Sequence, residues 1–283
     1  MRKNKHKRKR IFRIFIIIVC LLCAFYYNAS YLVKHNDNKN PCALYVGYLT
    51  TPEKYAEREL LRNYHKKFNN IKYNFFMAIN EKNVLTIKER QINDDIIFMN
   101  DVVVYSNITL KLIHLIQNAK KEQCRYTMKT DTDSFVQFNN IIEHVELICV
   151  PLNTCNKVVY GNWNIEAKVY DDPMNKWYDS LYPTDVYLPY PQGSGYLFGN
   201  QILNDLSTLN KNDLTIYPNE DATLGLWISL YQHFKINSYA IYTFKSLYHF
   251  NVSLPCNFYF EIFHQATQFE IKQLYNRYMK CVE

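Results

Sequence analysis

The stretch CRYTMKTDTDSFV, residues 124–136, decides how the chain is read. CRYTMK, residues 124–129, has the composition of a buried strand, and it runs straight into two aspartates, Asp131 and Asp133, with one threonine between them. A carboxylate is costly to hold beside a core unless a cation meets it. Two carboxylates at i and i+2 after a strand can both lean toward one divalent ion, directly or through water, and leave coordination positions open for diphosphate oxygens. That arrangement suits an enzyme stabilising a nucleoside diphosphate as it leaves a sugar. A calcium loop is a second alternative, although no Gly or distal Glu follows at EF-hand spacing.

Upstream of this stretch, strand and helix alternate. ALYVGYL (43–49) reads as a buried strand, and Thr51 and Pro52 open a helix whose apolar face is Ala56, Leu60, Leu61, Tyr64 and Phe68. KYNFFMAI (72–79) is the next strand, residues 81–92 a weak helix, DIIFM (95–99) a strand, and 106–121 a helix striped by Leu112, Ile113, Ile116 and Ala119. Such alternation predicts an α/β fold with a mostly parallel central sheet flanked by helices, where ligands bind beyond the carboxyl ends of the strands. After residue 150 the pattern is mixed, with helices expected near 200–207, 221–233 and 266–279.

The net charge of +7 is misleading until it is located. Residues 1–13 hold eight Lys and Arg and no acid, and the remainder of the chain is close to neutral. The basicity is a tail, so the body has no field for phosphate backbones and no nucleic acid partner is expected. The tail precedes IFIIIVCLLCAFYY (14–27), which with its extension to Val33 is about as long as a bilayer is thick. A cleaved signal peptide is the alternative; the long apolar core and Tyr26–Tyr27 favour an uncleaved anchor with the N-terminus cytoplasmic. The domain expectation is therefore a cytoplasmic tail (1–13), a transmembrane signal anchor (14–33), a short stem (34–42) and a lumenal domain (43–283). Six cysteines beyond the anchor allow up to three disulfides, with the pairing open. Sequons at Asn28, Asn107 and Asn251 fall on the same side.

Three further motifs invite chemistry. Gly193 and Gly195 bracket Ser194 within YLPYPQGSGYLF (187–198); a strand turn or a close approach of backbone to a ligand both fit. Glu220 and Asp221 precede an apolar helix, where acids ordinarily cap, while a positioned carboxylate there can also take a proton from an attacking hydroxyl. His249 is a candidate third metal ligand, although a lone histidine is more often structural.

Taken together, residues 43–255 resemble glycosyltransferase family 31, the β-1,3-galactosyl- and β-1,3-N-acetylglucosaminyltransferases. The resemblance rests on Arg58-Glu-Leu-Leu-Arg62, Tyr105-Ser-Asn107-Ile-Thr109-Leu-Lys111, Lys129-Thr-Asp131-Thr-Asp133-Ser-Phe-Val, Tyr187-Leu-Pro-Tyr-Pro-Gln-Gly193-Ser-Gly195-Tyr196 and Glu220-Asp221-Ala-Thr-Leu-Gly225, in that order. The family's middle aspartate is Thr132 here, its Thr-Trp after the first helix motif is Tyr64-His65, and a usual cysteine is Pro191. The resemblance implies a GT-A fold and inverting transfer from a UDP-sugar, most simply UDP-galactose, to a glycan acceptor. UDP-N-acetylglucosamine, UDP-N-acetylgalactosamine and a non-catalytic lectin- or chaperone-like role are the alternatives. It further implies Mn2+ at Asp131, Asp133 and His249, Asp221 as base, donor contacts from Arg58, Arg62, Asp131, Gly193, Gly195 and Glu220, and residence in the Golgi membrane as a type II protein. Homo-oligomer formation is left open.

Overall fold

The computed structural model describes residues 17–19, 42–104, 107–209, 215–235, 240–243, 246–247, 262–265 and 267–282. Most of the expected anchor (14–33), the tail, the stem and His249 lie outside the described residues. Among the described residues no helix is long and apolar enough to cross a membrane.

The body opens with β1 (Leu44–Leu49), buried along its whole length, then a 3-10 turn over Pro52–Lys54 and helix α1 (Tyr55–His65). Thr51 is extended as expected of an N-cap, but its side chain caps nothing. Next come β2 (Ile71–Met77), α2 (Val84–Asn93), β3 (Ile96–Phe98), α3 (Thr109–Glu122) and β4 (Tyr126–Asp131). The expected boundaries hold to within a few residues. Asn83 closes a capping box with Thr86 at the start of α2, which locates a helix whose exposed face carries little periodic signal.

Beyond β4 lie β5 (Phe135–Val136), α4 (Phe138–Leu152), β6 (Val158–Asn164), β7 (Tyr190–Gly199), α5 (Asn200–Ser207), α6 (Glu220–Lys235), β8 (Ala240–Thr243), β9 (Ser246–Leu247), β10 (Ile262–Phe263) and α7 (Gln268–Val282). Helix α4 has no counterpart in the sequence reading. Its buried residues Phe138, Ile141, Val145 and Cys149 have helical spacing, but Ile142, Leu147 and Ile148 make the run apolar on other sides too, and Pro151 sits in its last turn.

The seven-stranded sheet has the order β3-β2-β1-β4-β7-β6-β8. Strands β3, β2, β1 and β4 are mutually parallel, β7 is antiparallel to both β4 and β6, and β8 is parallel to β6. One reversed strand in an otherwise parallel sheet is the mostly parallel α/β architecture expected. Alternate residues of each strand feed opposite cores. Leu44, Val46 and Tyr48 of β1 with Phe75, Tyr126 and Met128 pack beneath α1, α4 and α7. Tyr45, Leu49, Phe76, Tyr196 and Phe198 face α3, α5 and α6. Disulfides join Cys42 to Cys124, at the entrances of the neighbouring strands β1 and β4, and Cys149 to Cys155 at the end of α4. Strand order reverses between β1 and β4: the chain moves from β1 outward through β2 and β3, then returns to the other side of β1. Crevices in such sheets form at this reversal, outside the carboxyl ends of the strands.

Candidate active site

A cleft of about 530 Å3 occupies that position. Its floor is the ends of β1 and β4 and the first half of β7, which enters antiparallel and so brings Tyr190–Ser194 to the same end of the sheet. Asp131 is the last residue of β4, and a tight turn follows, with the Ser134 amide donating to the Asp131 carbonyl at 3.1 Å. The turn presents Asp131 and Asp133 on one side. Strand β10 then pairs antiparallel with β5, Phe263 opposite Phe135, which sets His264 beside the turn.

Ligating atoms of Asp131, Asp133 and His264 all lie within 4.8 Å of one another. His264 Nδ1 is 3.7 Å from Asp133 Oδ1 and 2.8 Å from the Ser134 hydroxyl. Asp133 Oδ1 is buried and has no hydrogen-bond partner among the described residues. Burial, then the charge of Asp131, raises the Asp133 pKa, and burial lowers that of His264. A buried carboxylate oxygen without a donor, beside a second carboxylate and an imidazole, is a donor set that fits a divalent cation preferring oxygen and nitrogen ligands. Among the described residues His264 is the histidine of this cluster; His249, the histidine expected there, lies outside the described residues.

Lys129, one turn of the pleat before Asp131, is 1% exposed. Its ammonium donates to the Gly193 carbonyl at 2.6 Å, lies 3.0 Å from Asp131 and contacts Glu220. Burial disfavours the charged form, but the charges of Asp131 and Glu220 outweigh it and hold the lysine protonated. Asp131 thus meets a lysine as well as the candidate metal position, and it remains on the cleft wall. Glu220 also accepts from the Tyr196 hydroxyl at 3.0 Å, and burial pushes its pKa up to about 7 against the pull of Lys129.

Glu220 and Asp221 are the first residues of α6, where the helix dipole favours anions. Asp221 accepts from the amides of Ala222 at 2.8 Å and Gly193 at 3.0 Å, so it both caps and faces the cleft. Burial raises its pKa, with Lys129 and these amides opposing. Gly193-Ser194-Gly195 is not a turn but the middle of β7. Gly193 lines the cleft, and a side chain at Gly195 would come within 2.6 Å of Ile262, on the strand that delivers His264. Gly195 is thus a packing position under the site rather than a donor contact.

Arg58 and Arg62 are corrected by the structure. Neither lines the cleft. Arg58 is fully buried, paired in bidentate fashion with Glu89 at 2.8 and 2.7 Å, and it donates to Thr50 Oγ1 and the Thr51 and Pro52 carbonyls. Arg62 grips Asp95 at 2.7 and 2.8 Å. Arg58 touches the cleft wall only through the Thr50–Pro52 segment, whose Thr50 and Thr51 line the cleft, while Arg62 is held by Asp95, Glu59 and Glu89. Lys111 works alongside them, donating to the Thr50 carbonyl at 2.7 Å and to Glu81 at 2.8 Å.

The family model described as Galactosyltransferase matches residues 56–239. The chain is 24% identical over 201 residues to the beta-1,3-galactosyltransferase GALT1 of Arabidopsis thaliana, covering 67% of this chain and 31% of that protein. It is 27% identical over 157 residues to UDP-GalNAc:beta-1,3-N-acetylgalactosaminyltransferase 2 of Xenopus laevis, covering 55% and 31%. It is 27% identical over 203 residues to the hydroxyproline O-galactosyltransferase GALT2 of Arabidopsis thaliana, covering 66% and 28%. The chain therefore matches under a third of the length of these curated relatives. A solved glycosyltransferase involved in glycosylation of the major capsid of PBCV-1 aligns over 83% of this chain and 98% of its own, with 12% identity and a TM-score of 0.37.

Proposed function

The chain belongs to the galactosyltransferase family, and on that premise we propose that it is an inverting β-1,3-hexosyltransferase of GT-A type, moving galactose from UDP-galactose to a glycan hydroxyl. The observation that supports this reading most is the convergence of Asp131, Asp133, His264 and Asp221 on one cleft at the strand-order reversal. The relatives' names speak for galactose or N-acetylgalactosamine as the sugar moved by those proteins.

A divalent cation, Mn2+ in this proposal, supplies positive charge to the departing diphosphate when it is bound. Asp131, Asp133 and His264 would hold it. The chain's own residues do the rest. Asp221 takes the proton of the acceptor hydroxyl while that oxygen bonds to the anomeric carbon. The bond from that carbon to the diphosphate oxygen breaks, and its electron pair leaves with UDP. Attack and departure on opposite faces invert the centre, as for single-displacement glycosidases. A base raised above the ordinary carboxylate range by burial accepts a proton more readily, which suits Asp221. Lys129 ties Asp131, Glu220 and the Gly193 carbonyl together, and Thr50 and Thr51, held by Arg58 and Lys111, also line the cleft.

The N-terminal anchor, stem and Golgi residence belong to the same proposal. The apolar run at 14–27 behind a basic tail supports them, as do two disulfides that need an oxidising compartment. The test is UDP release by the purified full chain with Mn2+, UDP-sugars and a glycan panel. Asp133→Ala, His264→Ala and Asp221→Asn should each cut turnover at least a hundredfold with the unfolding transition retained. Wild-type turnover in Asp221→Asn would remove its role as base.

A further inference from the structure

The connection between β6 and β7, residues 165–189, carries aromatic side chains that the chemistry above leaves unused. Tyr170 and Trp177 both line the cleft, yet they are 40% and 37% exposed, in a chain that buries many of its other tyrosines. Their ring centroids lie 5.5 Å apart with the planes tilted by 35°. The Lys176 ammonium sits 4.3 Å from the Trp177 ring centre, on an electron-rich face.

This aromatic pair is built, not incidental. The buried Asn219 donates from Nδ2 to the Trp177 carbonyl at 2.9 Å and to the Tyr187 hydroxyl at 2.9 Å. The Trp177 amide donates to Asn175 Oδ1 at 2.9 Å. The amide of the buried Asp179 donates to the Tyr170 carbonyl at 2.9 Å, tying the two aromatics into one turn. Asn219 immediately precedes Glu220 and Asp221, so the platform is tethered to the element that carries the proposed base. Thr50 and Thr51, just after β1, and Lys111 of α3 come from other parts of the fold.

We propose that Tyr170 and Trp177 form the acceptor platform, on which a terminal pyranose stacks its C–H face with a hydroxyl toward Asp221. The inference rests on the transferase reading of the cleft. Aromatic rings offer a rigid apolar face at low entropy cost, and an exposed pair held by hydrogen bonds from the buried Asn219 and Asp179 is pre-organised for a ring-shaped ligand. Asn164 and Gln192, joined side chain to side chain at 2.8 Å and both on the cleft wall, provide polar groups for a sugar's hydroxyls.

The test uses the full chain with Mn2+ and UDP. Methyl β-D-galactopyranoside, methyl N-acetyl-β-D-glucosaminide and methyl β-D-glucopyranoside are titrated, with binding read by saturation-transfer NMR. Intrinsic fluorescence gives a second reading, because the chain has three tryptophans and Trp227 is buried. At least one glycoside should bind and perturb the fluorescence. Trp177→Ala should weaken it about tenfold or more, Tyr170→Ala severalfold, and Trp177→Phe, which keeps a ring, should restore most of the affinity. Unchanged affinity in Trp177→Ala, or no glycoside bound by the wild type, overturns the platform. Trp177-dependent binding with no UDP release for any donor and acceptor keeps the platform and overturns the transferase reading. Turnover with an acceptor KM indifferent to Trp177→Ala and Tyr170→Ala does the reverse.

Discussion

Replacing Lys129 by methionine is the sharpest perturbation of the site's electrostatics. The ammonium is the shared partner of Asp131 at 3.0 Å, of Glu220 and of the Gly193 carbonyl at 2.6 Å, and it is almost wholly removed from water. Methionine keeps the length and apolar stem but leaves the buried Glu220 and the partly exposed Asp131 without their counter-ion. Removing one partner of a buried pair costs about 3–5 kcal/mol, because the survivor stays desolvated. In a chain of this size each kcal/mol lowers the melting temperature by about 2–4 °C, so a fall of roughly 6–20 °C is expected. The loss should depend on pH. Glu220 already has its pKa at about 7 by burial, above its unfolded value, so folding binds a proton there. Its contribution is complete below the unfolded pKa near 4.5 and fades as pH rises through about 7. Without Lys129 the folded pKa moves higher still, and protonation at mildly acidic pH neutralises the stranded carboxylate. Urea unfolding of Lys129→Met followed by circular dichroism should therefore show a smaller deficit at about pH 5.5 than at about pH 8. A deficit under about 1 kcal/mol, or one equal at both pH values, would refute the account of Lys129 as the site's buried counter-charge.

Three more outcomes are expected. His65 is buried, stacked on Tyr73 at 4.0 Å with Nε2 2.9 Å from the Tyr48 hydroxyl, and burial pushes its pKa down to about 3. A folded pKa below the unfolded one gives stability that is present above about pH 6.5 and lost on acidification, about 2 kcal/mol between pH 7 and 5. His65→Phe should flatten that slope in denaturant titrations. The Cys42–Cys124 bridge spans 82 residues, and Cys42→Ser with Cys124→Ser should lower stability by about 4–5 kcal/mol on the chain-entropy account; an unchanged melting curve would mean that the bridge constrains nothing. In Gly225→Ala the new methyl group would meet the Pro189 carbonyl at 2.6 Å and Tyr190 Cβ at 2.5 Å. Helix α6 must then move away from β7, costing about 1–3 kcal/mol and lowering kcat about tenfold as Asp221 shifts.

The alternation through residue 131 was legible because strands buried on both faces and amphipathic helices write their periods into local sequence, and those periods placed Asp131 and Asp133 at a strand end before any contact was known. Glu220 and Asp221 were legible for the same reason, at the head of an apolar helix. Arg58 shows where local reading stops. Its spacing with Arg62 marks a motif, but whether its donors face a ligand or Glu89 depends on how α1 packs against α2, and α2 reads as a weak, mostly polar helix. His264 is the plainer case. It is 131 residues from Asp133 in the chain and reaches it only because the two-residue strand β10 pairs with β5. A strand that short has no period to detect. The central glycine motif, readable as a turn, lies within β7, where β4 pairs as far as Gly195 and the β6 register shifts between Gly161 and Trp163.

By itself, then, the sequence determined the class of fold, the order of its elements and the acidic residues that sit at their ends, since each of these follows from side-chain spacing over one or two turns or pleats. Tertiary structure alone decided which cation each carboxylate meets, that His264 stands beside Asp133 and that Arg58 is buried beneath Thr50–Pro52. Those are questions of distance between segments far apart in the chain, and burial, which sets the cost of leaving any of these charges unpaired, exists only after the segments have packed.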